Sequence, residues 1–132
     1  MRLHHVGIVT DDLESAVQRH KDLFNLHPVT EIVRDPIQKV EVVLLSTPGN
    51  EGVTIELIAP LTRDSPVSSF LSKGTGLYHV CFEVDDIDKA LANARKHGAI
   101  IVSKPTEARL YEGRRISFLY TRDKYLVEFV ER

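Results

Sequence analysis

Two histidines and two glutamates in this chain have types and spacings that could do chemistry together. His5 and His79 stand 74 residues apart, and Glu56 and Glu128 stand 72 apart. Two imidazoles offer neutral nitrogen donors and two carboxylates offer anionic oxygens. That set neutralises a divalent cation and leaves two of six octahedral positions for water or substrate. Zinc would accept such a set, and mixed nitrogen and oxygen ligation equally suits nickel, cobalt, manganese or iron(II). Taken singly, a histidine on a strand is an ordinary hydrogen-bonded residue and a glutamate an ordinary solvated one. The matched placement of one of each per half of the chain sets these four apart.

The matching comes from an internal repeat. Leu3-His4-His5-Val6-Gly7-Ile8-Val9-Thr10-Asp11-Asp12-Leu13 reads like Leu77-Tyr78-His79-Val80-Cys81-Phe82-Glu83-Val84-Asp85-Asp86-Ile87. Val53-Thr54-Ile55-Glu56-Leu57-Ile58 likewise resembles Tyr125-Leu126-Val127-Glu128-Phe129-Val130. Each half opens on a histidine strand and closes on a glutamate strand, in the same order and at nearly one offset. Duplication explains that better than chance.

The elements that must position these residues follow from periodicity. Residues 3 to 9 read as a short β-branched strand. Asp11 and Asp12 supply capping carboxylates for a helix in which Leu13, Ala16, Val17, His20 and Phe24 recur at helical spacing. Strands are expected at 29–33, 40–45 and 53–58, with Thr47-Pro48-Gly49-Asn50 turning between the last two. The second half predicts a strand at 77–84 and a helix from Ile87 to about Lys96, where Gly98 suits a left-handed cap. Strands follow near 100–102, 116–120 and 126–130. Asp64-Ser65-Pro66, a capping residue with proline in the first turn, marks a short helix between the halves. The pattern is βαβββ twice, an α+β fold. It gives one domain over 1–132: a first module of about 1–60, a linker helix within 61–75 and a second module of about 76–132.

Side chains alternate across a strand. If Val6 and Ile8 pack under a helix, His5, Gly7 and Val9 lie on the other face, and His4 shares the face opposite His5. Val80, Phe82 and Val84 likewise leave His79, Cys81 and Glu83 opposite. Ile55 and Leu57 turn Glu56 away from the helices, and Val127 and Phe129 do the same for Glu128. Two related modules curving toward each other would bring all four groups into one cleft.

Composition narrows the partners. The chain has 132 residues, with 42% hydrophobic and 27% charged residues, as a folded protein should. Seventeen Lys and Arg against nineteen Asp and Glu give a net charge of −2, without the basic balance of a nucleic-acid binder. No apolar run is long enough to span a membrane, and Met1-Arg2-Leu3-His4-His5 does not read as a signal peptide. One cysteine, Cys81, excludes an internal disulfide framework and fits a reducing cytoplasm.

With these residues and this repeat, the chain resembles the vicinal oxygen chelate superfamily, the glyoxalase and bleomycin-resistance fold, over essentially its whole length. The resemblance implies a cupped, mostly antiparallel sheet around one divalent metal ion held at His5, Glu56, His79 and Glu128, with helices outside. Pro60-Leu61, Asp64-Ser65-Pro66-Val67, Phe70-Leu71, Gly76 and His79 are similar to methylmalonyl-CoA epimerases, as is Arg115-Ile116-Ser117-Phe118. Where those enzymes carry His-Pro-Lys and Gly-Gly-Val before the last strand, this chain has Tyr120-Thr121-Arg122-Asp123-Lys124-Tyr125. Some of them place a further glutamate base on the third strand. Glu41 is one residue off that register, which reverses its face and leaves it solvated.

The resemblance implies an isomerase that removes a proton beside a carbonyl, with Glu128 as first base and Glu56 as its partner on the opposite face. Glyoxalase I, a lyase acting on a glutathione hemithioacetal, is the alternative. An antibiotic-binding protein of the same fold is a third, against which the four filled ligand positions count. A ring-cleaving dioxygenase would use two histidines and one glutamate. The expected partner is a small carbonyl or thioester substrate, with an acyl-CoA among the candidates, and the expected assembly a homodimer. His20, His27 and His97 read as solvated and Cys81 as a small cleft-lining residue. Arg114, Arg115, Arg122 and Lys124 are either surface charge or a grip for phosphates.

Overall fold

A computed structural model describes residues 1–74 and 76–132. The elements are β1 (Arg2–Val9), α1 (Leu13–Phe24), β2 (His27–Pro28), β3 (Val33–Asp35), β4 (Val40–Ser46), β5 (Thr54–Pro60) and α2 (Pro66–Leu71). The second half gives β6 (Gly76–Val84), α3 (Ile87–Lys96), β7 (Ile100–Ile101), β8 (Thr106–Glu107), a 3₁₀ turn (Arg109–Tyr111), β9 (Arg115–Tyr120) and β10 (Leu126–Glu131). This is the expected α+β architecture.

The strands form one sheet in the order β2-β4-β5-β1-β6-β10-β9-β7, with β3 beside β4 and β8 beside β9. Among the described residues only β1–β5 and β6–β10 run parallel; the other pairs are antiparallel. The halves mirror one another across the central β1–β6 pair, where Gly7 sits opposite His79.

The two longer helices start where the carboxylates predict. Asp12 accepts from the Ser15 N–H at 3.3 Å and Asp86 from the Lys89 N–H at 3.0 Å. α1 stops at Asn25, which takes a left-handed φ of 56°, and beyond α3 Gly98 takes φ 86°. On one face of the sheet, Leu13, Ala16 and Val17 of α1 pack on Val43, Leu45 and Leu57, with Ile8 and Ile55 beside them. On the same face of the other half, Ile87 and Leu91 of α3 pack on Leu119, Val127 and Phe129. These contacts fix the alternation that sends Glu56 and Glu128 the other way.

The opposite face is concave. The linker helix α2, capped by Ser65, lays Val67 against Val9, Val42 and Ile58 there, while α1 and α3 stay outside. Part of the linker interval, Thr75, lies outside the described residues.

Two expected strands are broken. Of the strand expected at 29–33 only Val33 is strand: β2 ends before the segment and β3 starts at its last residue, both pairing with β4, while between them the Thr30 hydroxyl takes the Leu44 N–H at 3.1 Å and replaces a ladder bond. The strand near 100–102 is shortened to β7 and joined by β8. From there the chain turns through the 3₁₀ segment before β9. That segment meets the β3–β4 turn: Asp35 accepts from the Arg109 N–H at 2.8 Å and from the Ile37 and Gln38 N–H groups at 3.0 Å. Gln38 Nε2 also donates to the Glu107 carbonyl at 3.3 Å. The two ends of the sheet therefore curl until they touch. None of the helices in the described residues is long and apolar enough to cross a membrane.

Candidate metal centre

The mirror arrangement delivers one histidine from the N-terminal part of each central strand and one glutamate from the strand parallel to it. His5 (β1), Glu56 (β5), His79 (β6) and Glu128 (β10) are all buried, and their donor atoms lie within 4.8 Å of one another. His5 Nε2 and His79 Nε2 are 2.9 Å apart. Glu128 Oε2 is 3.2 Å from His79 Nε2, and Glu56 Oε2 is 3.6 Å from His5 Nε2. The cross-module pairs are 3.8 Å (Glu56 to His79) and 4.0 Å (Glu128 to His5). Ligands ~2.1 Å from one cation sit ~3.0 Å apart when adjacent and ~4.2 Å apart when opposite in an octahedral shell. Four of the five separations fall between those limits, and the His5–His79 pair at 2.9 Å lies just under the lower one.

The electrostatics lead to the same place. Burial holds the His5 imidazole well below its ordinary range, and the neighbouring His79 adds to this. Burial lowers His79 to about 3. Both rings are therefore neutral donors at neutral pH, as ligation requires. Burial raises both Glu56 and Glu128, and the charge of Glu56 adds to the rise at Glu128. Two carboxylates pressed together away from water lack a balancing charge, which a divalent cation would supply. The donor set, its geometry and its charge fit a metal ion that all four could hold.

Other residues at the centre were not found from the sequence. Tyr111, on the 3₁₀ turn, donates its buried hydroxyl to Glu56 Oε2 and lies 3.1 Å from His5 Nδ1. Its ring stacks on His5 at 5.6 Å with a 16° interplanar angle. No periodic signal marks Tyr111, because it arrives on an irregular segment from the sheet's far end. His4 corrects the alternation argument. The β1–β6 register shifts between Leu3 and His5, and instead of facing away His4 lies with Nδ1 2.9 Å from His5 Nδ1 and its ring edge-on to Tyr111.

The remaining candidates divide cleanly. Cys81 lines the centre with its thiol 3.5 Å from Glu128 Oε1, and burial holds that thiol strongly protonated. Glu41 faces the helix side, paired with Arg34 at 3.1 Å, and Val42 takes the cleft-facing place. His27 and His97 are exposed, while His20 is half-buried and bonded to its own helix at Ala16. Arg114 pairs with the buried Glu83 and Arg115 with Glu131 and Asp88. Arg122 and Lys124 are exposed.

Beside the four groups opens a cavity of about 430 Å³. Its walls are largely apolar, with Val42, Ile58, Phe70, Tyr78, Leu110 and Phe118 among them, and Lys73 also stands in its lining. Such a volume suits a small-molecule site.

The sequence pattern of the Glyoxalase/Bleomycin resistance protein/Dioxygenase superfamily matches residues 4–118. The chain belongs to this superfamily. Within it, the human mitochondrial methylmalonyl-CoA epimerase is 36% identical over 124 residues, covering 92% of this chain and 68% of that protein. The crystal structure of methylmalonyl-CoA epimerase from Mycobacterium tuberculosis superposes with a TM-score of 0.83 at 32% identity, covering 98% of this chain and 87% of that one. A Streptomyces coelicolor methylmalonyl-CoA epimerase variant bound to 2-nitronate-propionyl-CoA superposes with a TM-score of 0.84 at 27% identity, covering 99% of this chain and 94% of that one. This chain is an enzyme of the superfamily, and its kinship is with the epimerases.

Proposed function

We propose that the chain is a metal-dependent epimerase of the methylmalonyl-CoA type, working as one domain in which each module contributes one histidine and one glutamate. The observation that carries this is the convergence of His5, Glu56, His79 and Glu128 on a common point beside an apolar cavity. A divalent cation held by these residues would bind two substrate oxygens and stabilise, as a Lewis acid, the enolate left when the α-proton departs. Its identity among zinc, nickel, cobalt, manganese and iron(II) is open.

The chain's own residues do the rest. Glu128 takes the proton from the carbon beside the carbonyl, and its buried setting raises its basicity toward what that task needs. Glu56, coming from the other module, serves the opposite face, where return of a proton inverts the centre. With Val42 rather than Glu41 facing the cleft, these two carboxylates are the natural acid–base pair. The apolar walls keep water from the enolate, and Lys73 offers a positive charge to an anionic substrate such as an acyl-CoA.

The relatives' activities favour this reading over the glyoxalase type. The lone buried Cys81 suits a reducing cytoplasm. The assembly we propose is a homodimer; because the four donors come from one chain, it would carry two independent centres. Incubation of metal-loaded protein with (R)-methylmalonyl-CoA in D₂O tests the function. Exchange of the C2 proton with racemisation is expected. No exchange above background, with turnover of methylglyoxal–glutathione hemithioacetal instead, would assign the chain to the glyoxalases.

A further inference from the structure

The two modules mirror each other in their donors but not in what surrounds them. In the first module, His5 Nδ1 has two polar neighbours, His4 Nδ1 at 2.9 Å and the Tyr111 hydroxyl at 3.1 Å. Glu56 Oε2 receives the Tyr111 hydroxyl proton. In the second module, His79 Nδ1 is buried with no hydrogen-bond partner, and Glu128 has only the weak thiol donor of Cys81 at 3.5 Å. One phenol thus braces both donors of one module, and nothing comparable braces the other among the described residues.

From this asymmetry we infer that Tyr111 is a positioning residue for the metal centre, fixing His5 and Glu56 as its rigid half. The inference rests on the four groups being cation ligands. Its physical basis is that a hydrogen bond to a ligand side chain restricts where its donor atoms point, and such outer partners are worth about 10–100-fold in metal affinity. The buried phenol is the O–H donor in its contact with Glu56 Oε2. Its ring is anchored independently, stacked on His5 with the Arg114 guanidinium 5.6 Å from its centroid. The backbone that delivers it is tied at the far side of the cleft by Asp35, whose carboxylate takes the Arg109 N–H. Removing the hydroxyl should therefore change the ligands' aim and leave the packing alone.

Cobalt(II) titration of the metal-free protein tests this, with the binding isotherm and the visible d–d absorption as readouts. The unaltered protein should bind one cobalt per chain. Tyr111→Phe, with the ring retained, should bind about 10–100-fold more weakly and give shifted d–d bands. Equal affinity and an identical spectrum would overturn the inference while leaving the cation reading intact. An unaltered protein that takes up no cobalt would overturn both. Should Tyr111→Phe not fold, Asp35→Ala decides, since it frees the segment carrying Tyr111 without touching the centre. Weaker cobalt binding is expected there, and affinity equal to the unaltered protein counts against the inference.

Discussion

At the scale of single residues, what separates these four groups from ordinary strand histidines and glutamates is that they are buried against each other, with His4, Cys81 and Tyr111 as their further side-chain partners among the described residues. Replacing His79 by alanine should abolish the bound divalent ion in elemental analysis of purified protein, because three donors spread over two modules no longer enclose a cation. Glu128→Gln keeps an oxygen donor but cannot accept a proton. It should retain the ion while α-proton exchange falls by about 100-fold or more; exchange unchanged in this variant would remove Glu128 from the role of base. The pH response has a definite sign. Both carboxyls titrate above their ordinary value of 4.5 because they are buried, so the cation-free folded chain holds protons that the unfolded chain has shed. Its stability therefore drops as pH climbs through that raised range. A cation must displace the same protons, so it binds more tightly as pH rises. The gap in melting temperature between cobalt-saturated and chelator-treated protein should widen from about pH 5 to about pH 8; a gap that narrows would contradict it. His5, Glu56, His79 and Glu128 were legible in the sequence because strict alternation on regular strands decides their face. His4 was not, since a register shift cancels the alternation there, and Tyr111 was not, since its segment has no period.

At the scale of elements, the device that shapes the site is the strap formed where the β3–β4 turn meets the 3₁₀ segment. Asp35 alone satisfies three backbone N–H groups there, two in its own turn and one across the cleft. Asp35→Ala should cost about 1–3 kcal/mol in urea unfolding, and a loss well under that would mean that water replaces the carboxylate freely. The short pieces β2, β3, β7 and β8 were the least legible elements, because side chains such as Thr30 take over ladder bonds and interrupt strands that an apolar run predicts as continuous. The helices read correctly from the sequence because their caps, Asp12, Ser65 and Asp86, act within one turn. At the cavity, the arginines near the C-terminal strands are tied up in pairs or lie outside the lining, whereas Lys73 lies within it. Lys73→Ala should raise KM for an acyl-CoA by about 2–5-fold with kcat little changed, the size expected of an exposed charge contact.

At the scale of the whole molecule, a repeated βαβββ unit has been turned into a site by pairing its two first strands antiparallel at the centre of one sheet. That pairing is why donors more than seventy residues apart in sequence meet on one point, and why each module supplies half of them. The repeat itself was visible in the sequence. How far the sheet curls was not, because the curl is set by long-range contacts such as Asp35 to Arg109. A cobalt-soaked crystal, measured at the cobalt absorption edge, tests the shared centre most directly. A single anomalous peak within bonding distance of His5 Nε2, His79 Nε2 and a carboxylate oxygen from each of Glu56 and Glu128 is the predicted result. A peak elsewhere, or none among these four residues in a well-ordered map, would contradict it.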